Sequence, residues 1–255
     1  MANRWRSIAL PAVALAFCAP QPAAGQVSEV YQYGISWNGI PAAEATVSVV
    51  EDGGLEPGTT RVRANMRTNA FVDLFWSLRA EGWAEVDTAT LHLQHFEYDR
   101  HINGRPEATS VADEGDGWLT GRYARPGRYH LIEVGDAGVL DPMGGILRAR
   151  RDLPPVGGSA VYEIFTGEAR YRIELRRGPT ESISVPAGHF TAARLEPAIW
   201  EAERNQRDAR VRRITMWVSD SPPHALLRIR SDVFIGALYA DLTDWSCMGC
   251  ARTSP

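Results

Sequence analysis

Cys247 and Cys250, separated by Met248 and Gly249, come closest to a chemical motif in this chain. A C-x-x-C pair can be a redox dithiol, half of a zinc site or a small disulfide. A redox pair needs its first Cys at a helix N-terminus, where the dipole lowers the thiol pKa. Only five residues follow Cys250 here. Zinc needs two further ligands, and there is no second Cys pair. A disulfide between Cys247 and Cys250 is the simplest expectation in an oxidising compartment. His92, His95, Glu97 and His101 form the densest histidine cluster. On a strand His92 and His95 point to opposite faces, whereas His95 and Glu97 share one. That allows an acid–base or metal pair, with a solvated strand face as the plainer reading. The stretch from Arg204 to Arg213 holds five Arg near Glu201, Glu203 and Asp208. It could meet anionic phosphates through bidentate hydrogen bonds, or simply form the wet face of a hairpin. Phe71, Phe75, Trp76 and Trp83 crowd into thirteen positions. They can plug a core or line a ligand cavity. No nucleophile elbow, His-Glu-x-x-His, phosphate loop or dinucleotide fingerprint occurs, and no cofactor is implied.

The elements that must carry these residues read mostly with period two. Tyr31, Tyr33, Ile35 and Trp37 alternate with polar or small residues, as do Val62, Ala64 and Met66. Tyr171, Ile173 and Leu175 alternate with Arg and Glu; Ile214, Met216 and Val218 follow an Arg-rich lead-in. This places apolar groups on one sheet face and charged groups on the other, the pattern of antiparallel sheets with one solvated face. Asn38-Gly39, Asn103-Gly104, Asp116-Gly117 and Pro126-Gly127 supply turns between the runs. Two segments break the period. Asn69 to Leu78 is too densely apolar for alternation and reads as a short helix or turn. Asp141 to Arg151 opens with Asp-Pro, an N-cap followed by Pro at the first helical position, and gathers Arg148, Arg150 and Arg151 at its C-terminal end. The expected fold is therefore all-β, mainly antiparallel, with one or two short helices.

Composition narrows the class of function. The chain of 255 residues has 27 basic residues, all Arg, against 31 acidic ones, a formal charge of −4. That balance argues against a nucleic-acid binder, and 44% apolar residues argue against disorder. Arg4 and Arg6 precede an apolar run from Ile8 to Phe17, too short to span a bilayer. Ala23-Ala24-Gly25 supplies the small residues of a cleavage site. Residues 1–25 are expected to be a signal peptide and 26–255 a single β-rich domain. Cys18 raises lipid attachment as an alternative, but the preceding Phe17 is larger than such a site takes.

Several segments, in order, resemble the domain of unknown function 3108 family of exported bacterial envelope proteins. They are Tyr33 to Ala43, Asp141 to Arg148, Val185 to Phe190, Trp217 to Asp220 with Pro223, and the strand from Leu226 to Gly236. The resemblance spans most of residues 30–244 and implies a periplasmic or envelope-associated protein. It carries no catalytic residues. A curved sheet of open or spiral half-barrel type with a helix across its mouth is the shape of periplasmic lipoprotein carriers of the Lol type, a likeness of fold only.

The leading expectation is a non-catalytic exported protein that contacts or maintains the cell envelope. The alternative is a carrier or chaperone for an apolar or lipid-like ligand in a curved-sheet cavity lined by Phe71, Phe75, Trp76 and Trp83. An enzyme, for instance a hydrolase, ranks third because no motif supports it. An open apolar cavity favours the carrier; a filled core favours the first reading. N-terminal sequencing of protein from a periplasmic fraction is expected to begin at or near Gln26. An intact Met1 in the cytoplasm would contradict export.

Overall fold

The computed structural model describes residues 28–51, 57–135, 138–202, 206–207, 213–233 and 235–249. The expected leader lies outside them. The first half contains β1 (Ser28–Trp37), β2 (Ile40–Glu51), β3 (Thr59–Thr68), a one-turn helix α1 (Ala70–Asp73), β4 (Leu78–Asp87), β5 (Leu93–Ile102), β6 (Arg105–Asp113), β7 (Trp118–Arg125) and β8 (Arg128–Gly135). Then come α2 (Pro142–Arg151), β9 (Ser159–Phe165), β10 (Arg170–Val185), β11 (Gly188–Glu201), the two-residue β12 (Gln206–Arg207), β13 (Ile214–Ser219), β14 (Leu226–Asp232) and β15 (Ala237–Met248). The protein is all-β with two helices, at the two segments where the apolar alternation breaks.

Fourteen strands lie on one path in the order β8-β7-β6-β5-β4-β3-β2-β1-β15-β14-β13-β11-β10-β9, with β12 beside β11. The strand ladders run antiparallel, including the pairing of β1 with β15 that joins the first and last described strands mid-sheet. This is the neighbour order of an up-and-down barrel left open at one seam, between β8 and β9. The hairpin turns follow the sequence signals. Asn38-Gly39 and Asn103-Gly104 both hold positive φ at each central residue, the backbone of a two-residue turn that matches strand twist.

At the seam the chain makes α2 instead of a hairpin. An isolated parallel bridge joins Leu140 to Ile164, and the Arg170 guanidinium donates to the Gly135 carbonyl. Phe165 of β9 enters the core of the first half beside Leu93, Phe96, Val111, Leu119 and Tyr123. Eight strands make a barrel that side chains alone can fill. Fourteen curled strands enclose more, and α2 occupies part of that space.

Two buried polar groups hold α2. Asp141, wholly buried, caps its N-terminus and accepts from the Met143 amide at 2.8 Å and the Gly144 amide at 3.2 Å. Burial pushes its carboxyl up to about 6, against the lowering pull of those amides. At the other end the Arg150 side chain, 11% exposed, donates to Glu29 Oε2 at 2.7 Å and to the Tyr31 hydroxyl at 2.8 Å. It also donates to the carbonyls of Pro223 and His224. Tyr31 in turn donates to Glu29 at 2.7 Å. Burial alone would lower the Arg150 pKa; the neighbouring Tyr31 and Glu29 oxygens outweigh it, and the pKa is raised. The helix is thereby tied to β1 and to the β13–β14 connection.

Replacing Arg150 by Met leaves the Glu29 carboxylate buried without its cation, and should cost about 3–5 kcal/mol in urea unfolding. The double variant Arg150→Met/Glu29→Gln should recover part of that loss; a single-variant loss below about 1 kcal/mol would contradict the anchoring role. Asp141 generates a pH prediction. Its folded pKa is about 6 against 3.8 for the free group, so the folded state holds the proton more tightly. Its contribution to stability therefore rises as pH falls from about 7 to about 4, by about 3 kcal/mol in all. Asp141→Asn keeps the cap and should remove this slope from the stability–pH profile. A profile unchanged by the substitution would contradict it.

Candidate functional site

The alternation in the second half of the chain builds one wall of a cavity. Tyr171, Ile173 and Leu175 of β10 face inward, while Arg172 and Arg176 face solvent. Tyr162 and Ile164 of β9, Ile199 of β11, Ile214 and Met216 of β13 and Ile229 of β14 continue that face. The opposite wall is α2, through Gly145, Ile146 and Ala149. Together they enclose about 500 Å³, within the range of small-molecule sites.

Helix dimensions explain why this space stays unfilled. Five strands spaced ~4.8 Å apart present a face roughly 19 Å across. A ten-residue helix is about 15 Å long and 10 Å thick. It also packs close to β9: a Cβ on Gly145 would come within 2.4 Å of Ile164 Cδ1. Apolar side chains beyond the helix are then left half-buried, and Ile146, on the helix itself, is 42% exposed.

The chemistry of the wall is uniform. Among its described residues, polar side-chain atoms come only from Tyr162, Tyr171 and Thr166. The Thr166 hydroxyl donates to the Ala169 carbonyl at 3.3 Å, and the Tyr162 hydroxyl reaches the Asp152 carbonyl at 3.4 Å. Burial first, and then Asp152, raises the Tyr162 pKa, so that phenol is neutral at physiological pH. Among the described residues no carboxylate, imidazole or cation belongs to this wall. Two other hollows among the described residues differ. One includes Arg148, Asp152 and Glu163; the other includes Glu29, Arg150, Arg151 and His224.

The structure places the residues singled out by sequence elsewhere. Phe71, Phe75 and Trp76 are exposed on and after α1, with Phe71 and Phe75 packed edge to face at 6.0 Å. Trp83 lies on the charged face of β4, its ring 4.6 Å from that of His95 and its Nε1 donating to Glu97 at 3.1 Å. None of the four belongs to the cavity lining. His95 Nε2 and Glu97 Oε1 are 3.4 Å apart on that same face. His92 precedes β5, and His101 stands exposed near its far end. Among the described residues no group of three or more His, Cys, Asp or Glu could hold a metal ion. Cys247 lies at the end of β15, and Cys250 lies outside the described residues. So does most of the Arg204–Arg213 stretch. Sequence reasoning read the inward faces of β10 and β13 but not Ile146 and Gly145. The Gly144-Gly145-Ile146 run, three residues after the cap, was the available signal, since paired glycines in a helix permit close approach.

No curated protein sequence matches the chain. Among solved structures it is similar to a beta-barrel-like protein of domain of unknown function DUF1849 from Brucella abortus, 10% identical, with a TM-score of 0.57 over 88% of this chain and 99% of that one. That likeness concerns the fold. Two others align at a TM-score of 0.31: a protein described as exported, with a YmcC-like fold, from Bacteroides fragilis, and one described as a lipoprotein from Parabacteroides distasonis. They are 12% and 15% identical, each alignment covering 87% of this chain and 95% of the other. The family model described as a protein of unknown function, DUF3108, matches residues 32–243, nearly the whole of the described sheet. The chain belongs to the DUF3108 family.

Proposed function

We propose that this chain is an exported, non-catalytic protein of the cell envelope that holds one apolar, lipid-like chain in the cavity between α2 and the sheet. The observation that carries the reading is a wall of half-buried Ile, Met and Tyr side chains facing an exposed Ile146. Large apolar groups usually fill protein interiors to crystal-like density. Here they border space of ligand size. Burying about 12 methylenes there gains about 10 kcal/mol, on the scale of the roughly 4–15 kcal/mol that association costs. The uniform wall suits an unfunctionalised acyl chain and offers no general acid or base for turnover, which supports a carrier over an enzyme. Export rests on Arg4, Arg6 and the short apolar run that follows them.

A fluorescent fatty-acyl probe tests this reading. The wild-type protein should bind it saturably at one site, with the emission shift of an apolar environment. Ile146→Trp adds bulk where α2 leaves room, and should weaken binding at least about tenfold, a difference of about 1.4 kcal/mol, while leaving the unfolding midpoint nearly unchanged. No saturable binding by the wild type, or equal binding by the variant, would contradict the proposal.

A further inference from the structure

One end of the sheet carries an apolar rim that the cavity does not use. The turns joining β14 to β15, β1 to β2, β3 to β4 and β5 to β6 all lie there, as the ladder registers show. Hydrogen bonds lock them to one another. Trp37 Nε1 donates to the Ile235 carbonyl at 2.8 Å, Asn69 Nδ2 to the Pro41 carbonyl at 2.7 Å, and the Ser77 amide to Asn103 Oδ1 at 2.8 Å. The rim is therefore one fixed surface. Of the sixteen exposed large apolar side chains among the described residues, eight stand on it. Leu74 and Phe75 project furthest, at 75% and 78% exposed.

The surrounding charge is positive on a chain that is net acidic. Within two residues of these turns and of the neighbouring β7–β8 turn stand Arg67, Arg79, Arg105, Arg125 and Arg128, against Asp73 and Asp232. Arg79 pairs with Asp73 at 2.5 Å, Arg67 with Glu44 and Arg128 with Glu168 at 3.9 Å, while Asp232 pairs with Arg230 at 3.0 Å, so the excess of cations at this end rests on Arg105 and Arg125. The rim also continues into the cavity wall. Ile214 pairs with Ser231, Ser231 with Leu238, and Leu238 with Trp37.

We propose that this rim docks the protein on an anionic phospholipid bilayer, with Leu74, Phe75 and Trp76 entering the acyl boundary and the arginines meeting the headgroups. Apolar groups on separate turn tips, spread along eight strands or roughly 34 Å of sheet edge, suit a soft surface that closes around each tip. Tryptophan suits the interface between headgroup and acyl chain, and arginines add attraction to anionic lipid. The docking is independent of cavity binding, and the two fail separately.

The test is co-sedimentation of the mature protein with phosphatidylethanolamine–phosphatidylglycerol vesicles and with neutral phosphatidylcholine vesicles. The protein should sediment with the anionic vesicles and less so as salt is raised. Leu74→Ser/Phe75→Ser alters only exposed side chains. It should weaken vesicle binding about tenfold or more and leave acyl-probe binding intact, whereas Ile146→Trp should sediment like the wild type. Wild-type protein remaining in solution with both vesicles, or a double variant that sediments normally, would overturn the proposal. So would a double variant that converts a dimer to a monomer in gel filtration without changing vesicle binding, since a second copy would then be what covers the rim.

Discussion

The buried contact between Arg150 and Glu29, 2.7 Å long and closed by the Tyr31 hydroxyl, fixes the position of α2, and the interior of the sheet depends on that position. An ion pair out of water is weak evidence for stability as such, because desolvation consumes much of its attraction. Its value here is geometric. The planar guanidinium has donors for Glu29, Tyr31 and two backbone carbonyls at once, and a single helix position satisfies all of them. With Asp141 capping the other end, the helix cannot slide toward β10 and β13 to cover their apolar faces. The unfilled space is a consequence of where the polar anchors stand.

Topology explains why a helix is needed at all. A meander that begins and ends mid-sheet has its seam between β8 and β9, which are sequential but not paired along a ladder. A hairpin there would have closed a barrel wider than side chains can fill. The chain places a ten-residue helix in the interior instead, and Phe165 ties the far edge into the core of the first half. The resulting molecule has a packed half around Phe96, Val111 and Tyr123 and a half that retains a cavity. The apolar rim runs along the end of the sheet that the cavity wall also reaches, so the proposed ligand cavity and the proposed membrane contact share one end of the molecule.

Much of the fold was legible in the sequence because a sheet face imposes a local period. Tyr171, Ile173 and Leu175 betray an inward face without knowledge of any neighbour, and Asn38-Gly39 and Asp141-Pro142 specify their backbone within a few residues. What escaped was non-local. The three arginines ending α2 look alike as cations suited to a helix C-terminus, yet Arg150 is the one buried against a carboxylate 121 positions away. Nothing near Glu29 signals that partner. The aromatic run from Phe71 to Trp76 reads as core because density reports apolarity but not direction. A one-turn helix at the end of β3 turns it outward. The lining of the cavity escaped for the same reason: the inward face was readable, but the distance at which α2 stops short of it was not.

The space between α2 and the sheet is proposed to hold an apolar chain, and native mass spectrometry of protein purified from the envelope fraction without detergent can show one. A population carrying a single lipid-sized adduct is expected for the wild type and not for Ile146→Trp. A bare polypeptide mass for the wild type, or an adduct that persists unchanged in the variant, would contradict it.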